Sequence, residues 1–309
     1  MIMPLVNTRR MLSKAQSGGY AVGHFNSSNI EFSQAIIGAA QELGAPVILG
    51  TSVSALEFAG VREIYLVVKS LAEKARVPVA LHLDHGPDVA WAKTCVQNGW
   101  TSVMIDTSKF EFAKNVALTK QVVSLAHRKK ISVEAELGRL KGVEDIVRVT
   151  EREALLTDPQ DARKFVDLTR VDSLAVAIGE SHGAFKFKGE PKLDIRRLSE
   201  IRDVVNVPLV LHGSSSVYPD WVAKADKFGA KLEGVRGVPD SIIKNCIRHG
   251  ICKVNTDTDL RIAFIAGIRE FLSEQPKSID YREALAAGRE SVKQVVIKKI
   301  SVFGSKGKA

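Results

Sequence analysis

VPVALHLDHG, residues 77–86, carries the pattern that decides the fold. Proline stands where a strand begins, the position a sheet tolerates. A near-continuous apolar run follows, as in strands buried on both faces. It ends in His82, Asp84 and His85, and a buried imidazole or carboxylate needs partners. The same grammar returns at VPLVLHGSSS, residues 207–216, again with a histidine where the run ends.

Working outward, eight such runs predict strands: YAVGHFN (20–26), PVILGTS (46–52), PVALHLD (78–84), SVMIDTS (102–108), SVEAELG (132–138), SLAVAIG (173–179), PLVLHGSS (208–215) and CKVNTD (252–257). Amphipathic helical stretches lie between them, among them Asn29–Leu43, Glu63–Ala75, Pro87–Asn98 and Glu111–Lys130. Strands alternating with helices argue for parallel βαβ units. Eight units suit a closed (β/α)8 TIM barrel of the α/β class, whose sites lie at the carboxyl ends of the strands. The alternative, an open doubly wound sheet, lacks its glycine-rich turn after the first strand. No low-complexity linker breaks the chain, so residues 1–309 are expected to form a single barrel domain. The connections near 139–159 and 180–193 read as mobile loops over the mouth, and 278–309 as a C-terminal helical extension.

Composition narrows the function classes. The chain has 309 residues, 45% of them hydrophobic, and no run of apolar residues long enough to span a bilayer. Its first residues lack a secretory apolar core and read as an amphipathic opening helix. Cys95, Cys246 and Cys252 are odd in number and not in CxxC spacing, which argues against a disulfide framework and for a reducing cytoplasm. The net charge of +9 fits either nucleic acid or anionic substrates. With basic residues dispersed and aromatics at 6%, nucleic-acid binding is not expected as the main function.

If the strands are placed correctly, Asn26, Ser52, Asp84, His85, Asp106, Glu136, His182, His212, Ser215, Asn255 and Asp257 gather at one rim. Three neutral imidazoles with an open fourth position make a catalytic zinc site. The spacing of His85, His182 and His212 is not itself a metal motif, so ligation and burial as satisfied hydrogen-bonders both stay open. His24 reads as strand wall, and His127 and His249 as helix-end residues. His82 shares side-chain parity with Asp84 and reads as support beneath the site. SHG (181–183) and HGSS (212–215) are ordinary tight turns or backbone cradles for a phosphate; the neighbouring VNTDTD strand end favours the anion pocket.

Taken together, GYAVGHFN, LHLDHG, SVMIDTS, SVEAELG, LAVAIGESHG, VPLVLHGSS and KVNTDTDLR resemble, in order and spacing, the class II (metal-dependent) fructose-bisphosphate aldolases over essentially the whole chain. The resemblance implies reversible cleavage of fructose 1,6-bisphosphate to dihydroxyacetone phosphate and glyceraldehyde 3-phosphate, in glycolysis and gluconeogenesis. It implies His85, His182 and His212 as ligands of Zn2+, which polarises the ketone and stabilises the enediolate. Asp84 matches the catalytic aspartate at the C4 hydroxyl. Asp106 and Glu136 match carboxylates of an alternative metal position or partners of the ligands. Glu144, in GRLKGVEDIV, matches a mobile-loop glutamate that moves the C3 proton. Gly183, Gly213, Ser215, Asn255 and Thr258 match the substrate grip, beside which the family binds Na+ or K+; Asn26, Ser52 and Asp257, at the same rim, are expected to bind substrate with them. Arg282 matches an arginine that reaches a neighbouring subunit's phosphate, implying a homodimer or homotetramer. Ser214 and Gly86 depart from the usual pattern. The similar tagatose-bisphosphate aldolases are the alternative, although NTDTD and FGAKLEGVRGVPD (228–240) look more like the fructose branch. No strand-end lysine is placed for a Schiff base.

Overall fold

In the computed structural model the eight apolar runs close into one parallel barrel. The structure describes residues 5–138, 156–179, 192–232 and 234–309, and the backbone of 141–144, 147–149 and 181–182. The order runs α1 (Thr8–Gly18), β1 (Val22–Asn26), α2 (Ile30–Leu43), β2 (Val47–Thr51), α3 (Val53–Ala59), α4 (Val61–Lys74), β3 (Val79–Gly86), α5 (Val89–Gln97), β4 (Ser102–Ile105), α6 (Phe112–His127) and β5 (Ser132–Leu137). Then come β6 (Lys141–Glu144), β7 (Val147–Val149), α7 (Pro159–Thr169), β8 (Ser173–Val176), β9 (Ser181–His182), α8 (Ile195–Val204), β10 (Leu209–Leu211), α9 (Pro219–Lys227), α10 (Asp240–Arg248), β11 (Ile251–Thr256), α11 (Thr258–Glu274) and α12 (Tyr281–Phe303).

The barrel order is β1-β11-β10-β8-β5-β4-β3-β2, each strand parallel to its neighbours. The connections expected as loops near 139–159 and 180–193 contribute a separate three-stranded sheet, β7-β6-β9. Helix starts follow their capping residues: the Asn29, Asp88, Asp158 and Asp194 side chains accept first-turn N–H groups of α2, α5, α7 and α8. The helix expected at 63–75 is α4, which begins two residues earlier at Val61, and a short helix that was not expected, α3, precedes it. Gly60 divides them at φ +83°, a left-handed backbone that costs glycine nothing. β10 ends at Leu211, before the expected 215, because Gly213 turns the chain at φ +55°.

The opening helix has a definite task. Met11, Leu12 and Ala15 of α1 pack on Val22, Ile48, Ala80 and Cys252, one apiece from β1, β2, β3 and β11. Thr8 Oγ1 meets Ser132 Oγ at 2.8 Å, and Thr8 N–H donates to the same hydroxyl. The amino end of the barrel is thereby closed with apolar surface. Above this floor the interior turns polar, and the carboxyl end holds the site. At the outside, α12 lies against both α11 and α2. Among the described residues, no helix is long and apolar enough to cross a membrane.

Candidate active site

The end of β3 breaks a rule that strands normally keep. Consecutive residues point to opposite faces, yet Asp84 and His85 have ligand atoms in one cluster with His212. A register shift against β4 between Leu83 and Gly86 accounts for this, together with a left-handed backbone at His85, φ +46°. Bulges of this kind re-aim a side chain, and a non-glycine residue pays about 1–3 kcal/mol for such a φ. Gly86 is part of the same device: a Cβ there would stand 2.4 Å from the Met104 carbonyl oxygen. Glycine at this position, a departure from the family's usual pattern, is what the close approach of β4 requires.

Of the three candidate ligand histidines, the two whose side chains are described, His85 and His212, are each held by a carboxylate. Nδ1 of His85 lies 2.9 Å from Asp106 Oδ2 and 3.8 Å from Glu136 Oε2. Nε2 of His212 lies 2.8 Å from Glu134 Oε1. A carboxylate only accepts, so these two nitrogens carry the protons and the opposite nitrogens carry lone pairs. Those lone-pair nitrogens, His85 Nε2 and His212 Nδ1, face each other at 2.8 Å, and Asn255 Nδ2 approaches His212 Nδ1 at 3.2 Å. Two lone pairs at that distance repel unless a proton or a metal cation is shared between them. Carboxylate-backed imidazoles converging on one point are the donor set of a divalent metal, and this donor set fits one. Burial, then the positive charge that His85 takes when protonated in the absence of a metal, lowers the His212 pKa, which keeps His212 neutral.

The carboxylates respond to their settings. Burial pushes Asp106 up, but hydrogen bonds and charge from His85, with help from Ser108, outweigh it and hold the carboxyl at about 2. Glu134 is pushed up by burial and held far below the usual range by Lys253 and His212.

Asp84 is buried and gripped symmetrically. Asn26 Nδ2 donates to Oδ2 at 2.9 Å and Asn255 Nδ2 donates to Oδ1 at 3.0 Å. The carbonyl oxygens of both asparagines are buried without a hydrogen-bond partner. They stand as acceptors beside a carboxylate, a setting for a ligand that brings hydroxyl donors.

Beneath lies a layer that the sequence reading partly missed. Lys253 is fully buried, and its Nζ bonds both Glu134 oxygens at 3.0 and 2.9 Å. Neither residue stood among the expected site residues. The signal was available: Glu134 shares strand parity with Glu136, and Lys253 with Asn255. A lysine does therefore stand in the bore, although tied to a carboxylate rather than at a strand end. His82 was expected as support beneath the site; its Nδ1 meets Ser102 Oγ at 2.7 Å, its Nε2 lies 4.0 Å from Glu134 Oε2, and its ring lies edge-on to His24 at 5.3 Å. Neither ring nitrogen of His24 has a hydrogen-bond partner, and its Nε2 lies 3.9 Å from Asp84 Oδ1.

Other expected residues fall around this centre. Asn26, Ser52 and Asp257 line one cleft of about 310 Å³, with Arg261 paired to Asp257 at 2.8 Å. Arg261 was not anticipated. Ser52 also caps α3 through Ala55 N–H. Ser215 Oγ accepts from Asp257 N–H, Ser214 Oγ donates to the Asn255 carbonyl, and Thr258 opens α11. Arg282 sits in the first turn of α12 and pairs with Asp280 at 2.6 Å; among the described residues nothing joins it to the group above. The backbone of His182 pairs with that of Gly142, and Glu144 with Val147. The side chains of His182 and Glu144, and all of Gly183, lie outside the described residues. His127 Nε2 meets Asp172 Oδ2 at 2.9 Å, and His249 the Asn245 carbonyl, both at helix ends as expected.

Comparison with known proteins now gives this geometry its context. Residues 6–308 match the family described as fructose-bisphosphate aldolase class-II. The chain is 48% identical to the fructose-bisphosphate aldolase of Thermus caldophilus over 305 residues, covering 99% of this chain and 100% of that one. It is 45% identical over 306 residues to the fructose-bisphosphate aldolase of Helicobacter pylori strain 26695, covering 98% and 99%. The crystal structure of the YdjI aldolase from Escherichia coli K12 superposes with a TM-score of 0.81 at 34% identity, covering 99% of each chain. With its closed barrel, its carboxylate-backed histidines and these relatives, the chain belongs to the class-II fructose-bisphosphate aldolase family, lyases that work with a divalent metal.

Proposed function

We propose that this chain cleaves fructose 1,6-bisphosphate reversibly to dihydroxyacetone phosphate and glyceraldehyde 3-phosphate, with zinc as its metal. The observation that carries this reading is the facing pair of lone-pair nitrogens on His85 and His212, 2.8 Å apart beside Asp84. His182 completes the ligand set in this reading. The metal, when bound, supplies Lewis-acid polarisation of a carbonyl oxygen.

The residues do the rest. Asp84, kept in place by two asparagine amides, takes the proton of the C4 hydroxyl during cleavage and returns it during condensation. The open carbonyl oxygens of Asn26 and Asn255 accept substrate hydroxyls and so orient the sugar against that carboxylate. Asp106 and Glu134 fix which nitrogen of each histidine is free to ligate. Gly213, Ser215 and Thr258, with Gly183, grip a phosphate beside the turn after β10 and the start of α11. Ser52, Asp257 and a sodium or potassium ion belong to the same grip. Glu144 carries the C3 proton from the 139–159 loop. The working form is a single-domain barrel assembled as a cytoplasmic homodimer or homotetramer, in which Arg282 serves a neighbour's site.

A coupled cleavage assay with fructose and tagatose bisphosphates, with and without chelator, tests this. Cleavage of the fructose ester, abolished by EDTA and restored by zinc, is expected. Borohydride should trap no substrate on Lys253; trapping would replace this mechanism with Schiff-base chemistry.

A further inference from the structure

We propose that Lys299, near the chain's end in α12, is a positioning residue for the turn after β10 that grips phosphate. The inference rests on the phosphate assignment above and adds to it the element that sets the turn's shape. The turn Gly213–Val217 twice enters left-handed backbone, at Gly213 (φ +55°) and at Val217 (φ +50°). Glycine adopts that region freely, but a β-branched residue does so only when its surroundings force it. Here the force comes from Asp259 in the first turn of α11. Its Oδ2 accepts Ser216 N–H at 2.8 Å and its Oδ1 accepts Val217 N–H at 2.6 Å. One carboxylate thus holds two successive amides of the strained turn.

Asp259 is itself buried, and a buried carboxylate needs a counter-charge. Lys299 supplies it. The lysine side chain is fully buried, with Nζ 2.9 Å from Asp259 Oδ2. The same ammonium donates to Ser216 Oγ at 2.6 Å, lies 3.8 Å from Asp240 Oδ1, and sits 4.8 Å over the Tyr218 ring. Ser216 and Tyr218 hydroxyls both donate to Asp240, so the turn is tied on its other side as well. Gly237 lets a third segment press close: a Cβ there would lie 2.2 Å from the Ser215 carbonyl oxygen. Lys299 therefore acts on the turn at second hand, through the carboxylate and the serine that shape it. Its effect should fall on phosphate affinity and leave the metal alone.

Lys299→Met alone strands the Asp259 carboxylate and is expected to lower the melting temperature. The informative variant combines Lys299→Met with Asp259→Asn, removing both charges while keeping one acceptor for the turn. In the zinc-loaded protein, calorimetric titration with inorganic phosphate and the KM for fructose 1,6-bisphosphate should both weaken by about tenfold. Zinc content should stay unchanged, and kcat within about threefold, because the loss is of uniform binding. Unchanged phosphate affinity in the folded pair variant would overturn the inference and leave Lys299 a staple only. Loss of zinc with kcat, at unchanged phosphate affinity, would overturn it too. If the wild-type chain binds phosphate but cleaves no ketose bisphosphate, the functional reading fails and the phosphate titration still decides Lys299.

Discussion

His85 Nε2 lies 2.8 Å from His212 Nδ1, although 127 positions separate the two residues. They come from the end of β3 and the residue directly after β10, strands that stand four apart in either direction round the closed barrel. Neither histidine reaches this position by chance of rotamer. Asp106 fixes one ring and Glu134 the other, and both carboxylates are themselves buried or nearly so and held ionised by their partners.

Because Asp106 decides which nitrogen of His85 is free, Asp106→Asn should weaken metal binding without removing a ligand of the pair. The amide can offer its N–H to the ring and favour the wrong tautomer. A loss of about 10–100-fold in zinc affinity is expected, as for other partners of metal-bound histidines. Competition with a chromophoric chelator measures it. Zinc affinity equal to wild type would show that His85 is oriented by something other than Asp106.

Asp84→Ala should separate metal binding from turnover. Asp84 accepts from Asn26 and Asn255, while the two ring nitrogens that face each other owe their setting to Asp106 and Glu134. Zinc content should therefore survive, and kcat should fall by about 10²–10⁴, the usual worth of a positioned proton carrier. A variant that turns over as fast as wild type would remove Asp84 from the proton transfer.

The eight-stranded alternation was legible because buried parallel strands are written as apolar runs, and His85, Asp84 and His212 because polar residues at the ends of such runs are out of place. What the sequence hid is what three-dimensional closure creates. Strand parity points Glu134 and Lys253 into the bore, but their pairing is not written there: only the closed barrel brings Nζ within 3.0 Å of the carboxylate oxygen. The bulge at His85 was equally hidden, since strand alternation applied literally sends Asp84 and His85 to opposite faces. Lys299 was out of reach for the same reason: nothing near it in sequence announces a contact with Ser216.

The thiols give a pH prediction with a definite sign. Burial pushes Cys95 up to about 12 and Cys252 to about 11, from an ordinary value of 9.0. A group whose folded pKa is raised binds its proton more tightly when folded. Its contribution is therefore complete below pH 9 and is lost as pH rises toward 11 and 12. Denaturant midpoints should fall across that alkaline window. At pH 8 a disulfide reagent should find Cys95, Cys246 and Cys252 unreactive in the native protein and all three reactive in guanidinium, since all are buried. Rapid labelling of the native chain would show that the barrel wall opens at those positions.

Gly50 and His24 should behave as one unit. A Cβ at Gly50 would stand 2.1 Å from His24 Nε2 and 2.2 Å from Cε1, and the ring is fully buried with no open side to turn to. Gly50→Ala is thus an overpacking change, costing about 1–3 kcal/mol. Removing the ring by His24→Ala frees the space, so the double variant should recover most of that loss. Its cost should be smaller than the sum of the single costs, as for residues in contact. Urea unfolding of the three variants measures the coupling. Additive costs would mean that the ring is not pinned where it lies. Coupled costs would mean that the glycine in β2 is what allows an imidazole to stand directly beneath the Asp84 carboxylate, 3.9 Å away.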